Sequence, residues 1–224
     1  MSVICNYPPI YEYCKAQYGL LVKNGVSSYG NFKCDYLMLS GETTLTAPIK
    51  VILVDQYDNV IGSAEKMSAH IQGLCHRAFS VFIVHATPQG WMLLLQQRAW
   101  GKYHSQGLWT NTCCSHPSPD ESIMVAAERR LQEEFGFSMP LQSAGVFHYS
   151  ANLEDNLIEN EIDHVLVGYG KPEQIKPNPE EIADYRWWSL EELQLALKHT
   201  PQQFTVWLKP ALNILVKTLE KKEG

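Results

Sequence analysis

Two almost uninterrupted apolar runs limit what this chain can fold into. Residues 78–86 read AFSVFIVHA and residues 91–96 read WMLLLQ, with Thr87-Pro-Gln-Gly90 between them. Neither approaches the roughly 18 apolar residues that a membrane helix needs. Both have the length and side chains of strands buried within a sheet, and Pro88 with Gly90 supplies the turn. Strands this apolar need cover on both faces.

The cover is legible farther along. Met124, Ala127, Leu131 and Phe135 fall on one stripe at helical spacing. Ser118, Asp120 and Ser122 are candidate caps, Glu121 sits where the helix dipole favours negative charge, and Gly136 ends the helix. Ser189-Leu-Glu-Glu192 is a capping box that opens a second helix, to about His199. Thr200-Pro-Gln-Gln203 repeats that pattern before a last helix, expected to kink near Pro210. Residues 51–54 and 60–62 read as a hairpin around Asp55-Gln-Tyr-Asp-Asn59. Residues 147–150, 159–168 and 184–189 read as strands, and 107–115 as extended. The expected class is α/β (α+β), a mixed β-sheet covered by helices, over residues 49–224.

Residues 1–48 read differently. They hold six tyrosines and Cys5, Cys14 and Cys34 but few periodic runs, and are expected to form an N-terminal extension whose cysteines lack zinc-site spacing. The chain has six cysteines in 224 residues, and residues 1–10 do not pair a charged segment with an apolar one. A cytoplasmic protein with reduced thiols is the expectation. A net charge of −6 argues against nucleic acid as a partner, and no run argues for a membrane. An anionic ligand would need a local basic cluster or a bridging metal.

Residues 121–137 carry the first chemical signal. They resemble the Nudix box, G-x5-E-x7-R-E-U-x-E-E-x-G-U with U aliphatic. Glu121, Arg129, Leu131, Glu133, Glu134 and Gly136 fall in register, with Phe137 at the last apolar position. Ser115 replaces the leading Gly, and Arg130 replaces the Glu after the first Arg. In Nudix hydrolases that Glu helps hold magnesium. An Arg cannot ligate a metal; it offers five donors and a fixed positive charge. At about 100° per residue Arg130 and Glu134 share a helix flank. They read either as an i,i+4 ion pair or as an Arg and a metal-binding carboxylate that meet one diphosphate.

Thr110-Asn-Thr-Cys-Cys114-Ser-His116-Pro117 stands immediately before that box. It resembles the T-N-x-x-C-x-H-P motif of the type I isopentenyl-diphosphate isomerase family. Glu159-Asn-Glu161 resembles the family's E-x-E strand, and the two carboxylates of such a strand share a face. With His70, His76 and His116, the resemblance implies a metal site of three His and two Glu, for Zn²⁺, Mn²⁺ or Mg²⁺. It also implies diphosphate contacts at Lys66, Arg98, Lys102 and Arg130, a second Mg²⁺ between Glu134 and the diphosphate, Tyr149 beside the acid/base Glu161, and Trp207 covering the substrate. His85, His104, His148, His164 and His199 match no motif position.

The resemblance implies a small-molecule diphosphate substrate whose double bond moves by protonation at C4 and loss of a proton at C2. Cys114 and Glu161 are the expected acid–base pair, Cys114 with its thiolate favoured by a nearby His and metal. Trp207 and Trp109 are expected to face the cation in a dry pocket. The rival readings are a Nudix hydrolase of nucleoside diphosphate derivatives, which Arg130 opposes, and a non-catalytic diphosphate sensor, which would leave Cys114 unexplained.

Overall fold

The computed structural model describes residues 48–223, so the reading of the N-terminal extension falls, but for Pro48, outside the described residues. The hairpin is β1 (Lys50–Val54) and β2 (Val60–Glu65). Its turn is held by Asp55, whose Oδ1 accepts from the backbone N–H of Tyr57 and Asn59. Glu65 then caps a short helix, α1 (Lys66–Gln72), by accepting from Met67 N–H and Ser68 N–H, and Gly73 ends it in the left-handed region at φ 62°. This helix was not expected: seven residues are too few for a periodic pattern.

The two apolar runs form β3 (His76–Thr87) and β4 (Gly90–Arg98), antiparallel to each other over residues 83–87. Beyond that they diverge. The expected extended segment at 107–115 fills the gap as two short strands: β5 (Trp109–Thr110) pairs with β4, and β6 (Cys113–Ser115) pairs with β3. A break at Asn111 and Thr112 separates them, so the segment read as extended holds two strands. Thr112 sits at the fork, where its hydroxyl accepts from Ile83 N–H and donates to Leu94 C=O. Asn111 donates to the carbonyls of Val81 and Cys113. Buried backbone groups left by the parting strands are thus satisfied by side chains.

The boxed helix is α2 (Ile123–Phe135), capped by Ser122 and ended by Gly136 at φ 72°. Of the three candidate caps, Ser122 takes the role, and Glu121 instead pairs with Arg129. β7 (Gln142–Asn152) runs antiparallel to β8 (Ile158–Tyr169), which lies parallel to β3 over residues 76–84. β9 (Ile182–Ser189) borders β4 and leads into α3 (Leu190–His199), capped by Ser189 as expected. The second capping box does not form. Thr200 donates its hydroxyl back to Ala196 C=O, and a 3-10 turn follows. Pro210 lies in the first turn of α4 (Leu208–Glu223), where a missing N–H costs no helix bond, so it gives no reason for a kink.

Alternation along β3, β4 and β8 sorts the core into two layers. Phe82, Val84, Leu93, Leu95, Val165 and Val167 pack beneath α3 and α4. Phe79, Val81, Ile83, Leu94 and Leu166 pack beneath α2. The sheet is covered on both faces, as runs of this kind require. Among the described residues no helix is long and apolar enough to cross a membrane.

Candidate active site

Strand register brings the chemical groups to one face of the sheet. Directly paired residues share a face. His76 pairs with Glu161 across β3 and β8, Glu161 with Tyr149 across β8 and β7, and Ser80 with Cys114 across β3 and β6. His76, Ala78 and Ser80 alternate along β3, and Glu159, Glu161 and Asp163 along β8. All of these lie on the face that continues under α4. Cys113 has the opposite orientation: it pairs with Val81 and is fully buried under α2. Cys114 lines the pocket with His116, Tyr149, Glu159, Glu161 and Trp207.

The imidazoles are oriented from behind. Nδ1 of His70 faces Lys66 C=O at 2.7 Å, and Nδ1 of His76 faces Leu74 C=O at 2.8 Å. A carbonyl only accepts, so each Nδ1 carries a proton, which leaves Nε2 as the nitrogen of each ring that can turn a lone pair towards the site. His76 Nε2 lies 3.2 Å from His116 Nε2 and 3.3 Å from Glu161 Oε1, and His116 Nε2 lies 2.7 Å from that same oxygen. His70 Nε2 and Glu159 Oε2, 3.4 Å apart, are buried without hydrogen-bond partners among the described residues. Lone pairs crowded in this way, with two orphaned acceptors, fit a divalent cation. His70, His76, His116 and Glu161 can converge on one ion, and Glu159 stands beside His70. The donors suit Zn²⁺, Mn²⁺ and Mg²⁺ alike.

Sequence reasoning passed over two residues. His104 has its Nε2 3.3 Å from Glu159 Oε1 and its ring edge-on to Trp207, so it joins His70 and Glu159 in a second group of convergent donors. No motif marks it; only its place between Lys102 and Gly107 could have drawn attention. Asp163 continues the alternation of Glu159 and Glu161, a signal that was available. Its Oδ2 accepts from Ser80 at 2.8 Å, and burial with the Glu161 charge pushes its carboxyl well above the usual range.

Burial drives the Cys114 thiol up to about 12, although Arg98 opposes this from 3.9 Å away, so in the metal-free protein Cys114 is a neutral thiol. Burial alone would raise Glu161 too, but hydrogen bonds and charge from His76, with a 2.6 Å bond from Tyr149, hold it down to about 2. One group of the pair holds a proton and the other does not.

Lys66, Arg98, Lys102 and Arg130 also line the pocket. Arg98 is pinned by the carbonyls of His104 and Ser105 and lies 5.5 Å from the Trp207 ring centroid. Arg130 forms the ion pair with Glu134 at 2.6 Å that their shared flank allows. Glu134 is buried, and its other oxygen accepts from Gln96. It does not line the pocket as the basic residues do. Trp207 is buried and donates to Asn111 at 3.3 Å. Trp109 does not face the pocket. It packs edge-on against Trp188 beneath the α3/α4 layer, which corrects its expected role.

Comparison with known proteins identifies the family. The NUDIX domain model matches residues 75–208. Proteins named isopentenyl-diphosphate Delta-isomerase are similar over most of their length. One from Photobacterium profundum is 47 % identical over 175 residues, 77 % of this chain and 97 % of its own. One from Serratia proteamaculans is 52 % identical over 159 residues, 70 % of this chain and 86 % of its own. The chain belongs to the isopentenyl-diphosphate Delta-isomerase family of NUDIX-domain proteins. The fold is also shared with a solved structure of low sequence identity. The crystal structure of DR0079 from Deinococcus radiodurans superposes with a TM-score of 0.54 at 15 % identity, covering 67 % of this chain and 90 % of that one.

Proposed function

We propose that the protein interconverts isopentenyl diphosphate and dimethylallyl diphosphate. The observation that carries the reading is Cys114 and Glu161 lining one pocket, a neutral thiol and a carboxylate, with Lys66, Arg98, Lys102 and Arg130 on the same pocket. Moving a double bond by one carbon requires a proton to be given and another taken, so a pair in opposite states is the minimum apparatus. Tyr149, bonded to Glu161, holds the carboxylate in place and can pass a proton. The basic residues grip the diphosphate. Trp207 lies where a ring face can steady cationic charge, a contact worth about 0.5–2 kcal/mol.

In this reading His70, His76, His116, Glu159 and Glu161 hold Zn²⁺, Mn²⁺ or Mg²⁺. When bound, that ion supplies Lewis acidity that tunes the Glu161 carboxyl. Glu134, buried and paired with Arg130 and Gln96, would have to exchange one of those partners to hold a Mg²⁺ that accompanies the diphosphate. The enzyme works with reduced thiols in the cytoplasm: Cys114 is free, and a disulfide would remove it from proton exchange.

The test is incubation with isopentenyl diphosphate and Mg²⁺ in D₂O. Deuterium in a dimethylallyl product supports the proposal. Phosphate release without isomerisation supports the hydrolase reading, and binding without turnover supports a sensor.

A further inference from the structure

Four cationic side chains in one pocket repel one another. Burial, and then Lys102, Arg130 and Arg98, lower Lys66 to about 8. Two of the four, Lys102 and Arg130, come from different elements: the loop after β4 and helix α2. Neither element alone fixes their separation. Both contact one carboxylate that no motif marks. Glu181, in the segment before β9, accepts from Lys102 Nζ through Oε2 and from Arg130 through Oε1 at 3.0 Å.

We infer that Glu181 is a positioning residue, setting Lys102 and Arg130 at a fixed spacing for the two phosphoryl groups of the substrate before it arrives. The backbone shows that Glu181 is itself anchored. Its C=O accepts from Ala99 N–H at 2.9 Å, which ties it to the loop that carries Lys102. Its N–H donates to Asn178 C=O, and Asn178 N–H donates to Glu134 C=O at 2.8 Å, which ties it to the end of α2. The carboxylate therefore spans the seam between the two elements whose cations it holds.

The geometry also leaves donors for a ligand. On Arg130 the terminal nitrogens are occupied by Glu133, Glu134 and Glu181. Its Nε is buried with no partner among the described residues. An ammonium has three donors, and Glu181 needs one of those on Lys102. Phosphoryl oxygens can accept the remaining Lys102 donors without displacing Glu181.

This inference rests on the isomerase reading only in taking the ligand to be a diphosphate. The probe is inorganic pyrophosphate with Mg²⁺, titrated calorimetrically into the wild-type protein and Glu181→Gln, with steady-state kinetics alongside. Losing a charge-assisted bond to each cation should weaken pyrophosphate binding and raise KM about tenfold or more, with kcat within about twofold. Bound metal should be unchanged. In a Lys102→Met background the Glu181→Gln effect should shrink, because one of the two cations is gone. If Glu181→Gln does not fold, Glu181→Asp, whose shorter side chain cannot span both cations, should raise KM in the same direction. Unchanged pyrophosphate affinity, tighter binding, full additivity with Lys102→Met, or a fall in kcat at constant KM would each overturn the role. A wild-type protein that neither binds pyrophosphate nor isomerises would instead sink the isomerase reading.

Discussion

Tyr149 and Glu161 sit directly opposite each other in the β7–β8 ladder, and the phenol donates to the carboxylate at 2.6 Å. Neither loop flexibility nor substrate is needed to bring them together; strand register alone does so. Tyr149→Phe should therefore leave the fold intact and act on the proton chemistry. The expected result is a kcat reduced at least about tenfold with little change in KM, and a rise in the carboxyl pKa seen by carbon-13 NMR of Glu161. A kcat within twofold of wild type would remove Tyr149 from the mechanism.

Glu161 also sets a pH dependence of stability. In metal-free protein its pKa is lowered to about 2, as is that of Glu181. An unfolded Glu titrates near 4.3. A depressed pKa means that the folded state holds fewer protons, so the contribution is fully present above about 4.3 and is lost as pH falls towards about 2. Acid unfolding followed by circular dichroism should have its midpoint shifted upward in Tyr149→Phe. An unshifted midpoint would mean that the hydrogen bond does not hold the carboxyl down.

The two adjacent cysteines should separate cleanly. Cys114→Ala should lower turnover by orders of magnitude, because the exchangeable proton is gone. Cys113→Ala should cost about 1 kcal/mol of stability in the layer under α2 and keep most activity. A substrate-like epoxide should alkylate Cys114 alone. Peptide mass mapping with the adduct on Cys113 would refute the register assignment.

Removal of metal should abolish activity, and its return should restore it. His70→Ala and Glu159→Ala should each lose tightly bound metal, measured by elemental analysis, while unfolding cooperatively. Full turnover by chelated protein would rule out the proposed centre.

Arg130→Met should weaken substrate binding. It should also cost about 3 kcal/mol of stability by leaving Glu134 as an unpaired buried charge. The wild-type protein should release no phosphate from nucleoside diphosphate derivatives in a colorimetric assay. Brisk release would favour the hydrolase reading.

How much of this could be read from the chain depends on the kind of signal each residue leaves. β3 and β4 were legible as apolar runs, α2 because burial of one face writes a period into the sequence, and the opening of α3 through its capping box. Cys114, His116 and the pair Glu159 and Glu161 were legible through local motifs. His104 and Glu181 were not, because each acts through partners distant in sequence. The break at Asn111 and Thr112 escaped for a related reason. Two polar residues inside a segment that reads as extended give no sign of a break until the partner strands are known to diverge there. The failed capping box at Thr200 is a lesson in the other direction: a cap pattern is necessary for such a start and not sufficient, since Thr200 finds a nearer partner in the helix it follows.

Trp207 stands one residue before α4, whose Leu208, Leu212 and Leu215 lie in the sheet's main apolar layer. If Trp207 covers the substrate as proposed, packing of that helix and closure over the reacting carbons are one event. A defect such as Leu215→Ala, remote from any acid or base, would let solvent reach the cationic intermediate. Its signature would be an altered product ratio, with a tertiary alcohol accumulating beside the isomerised alkene, before any large fall in substrate consumption. In this fold, chemical fidelity is a property of the hydrophobic core.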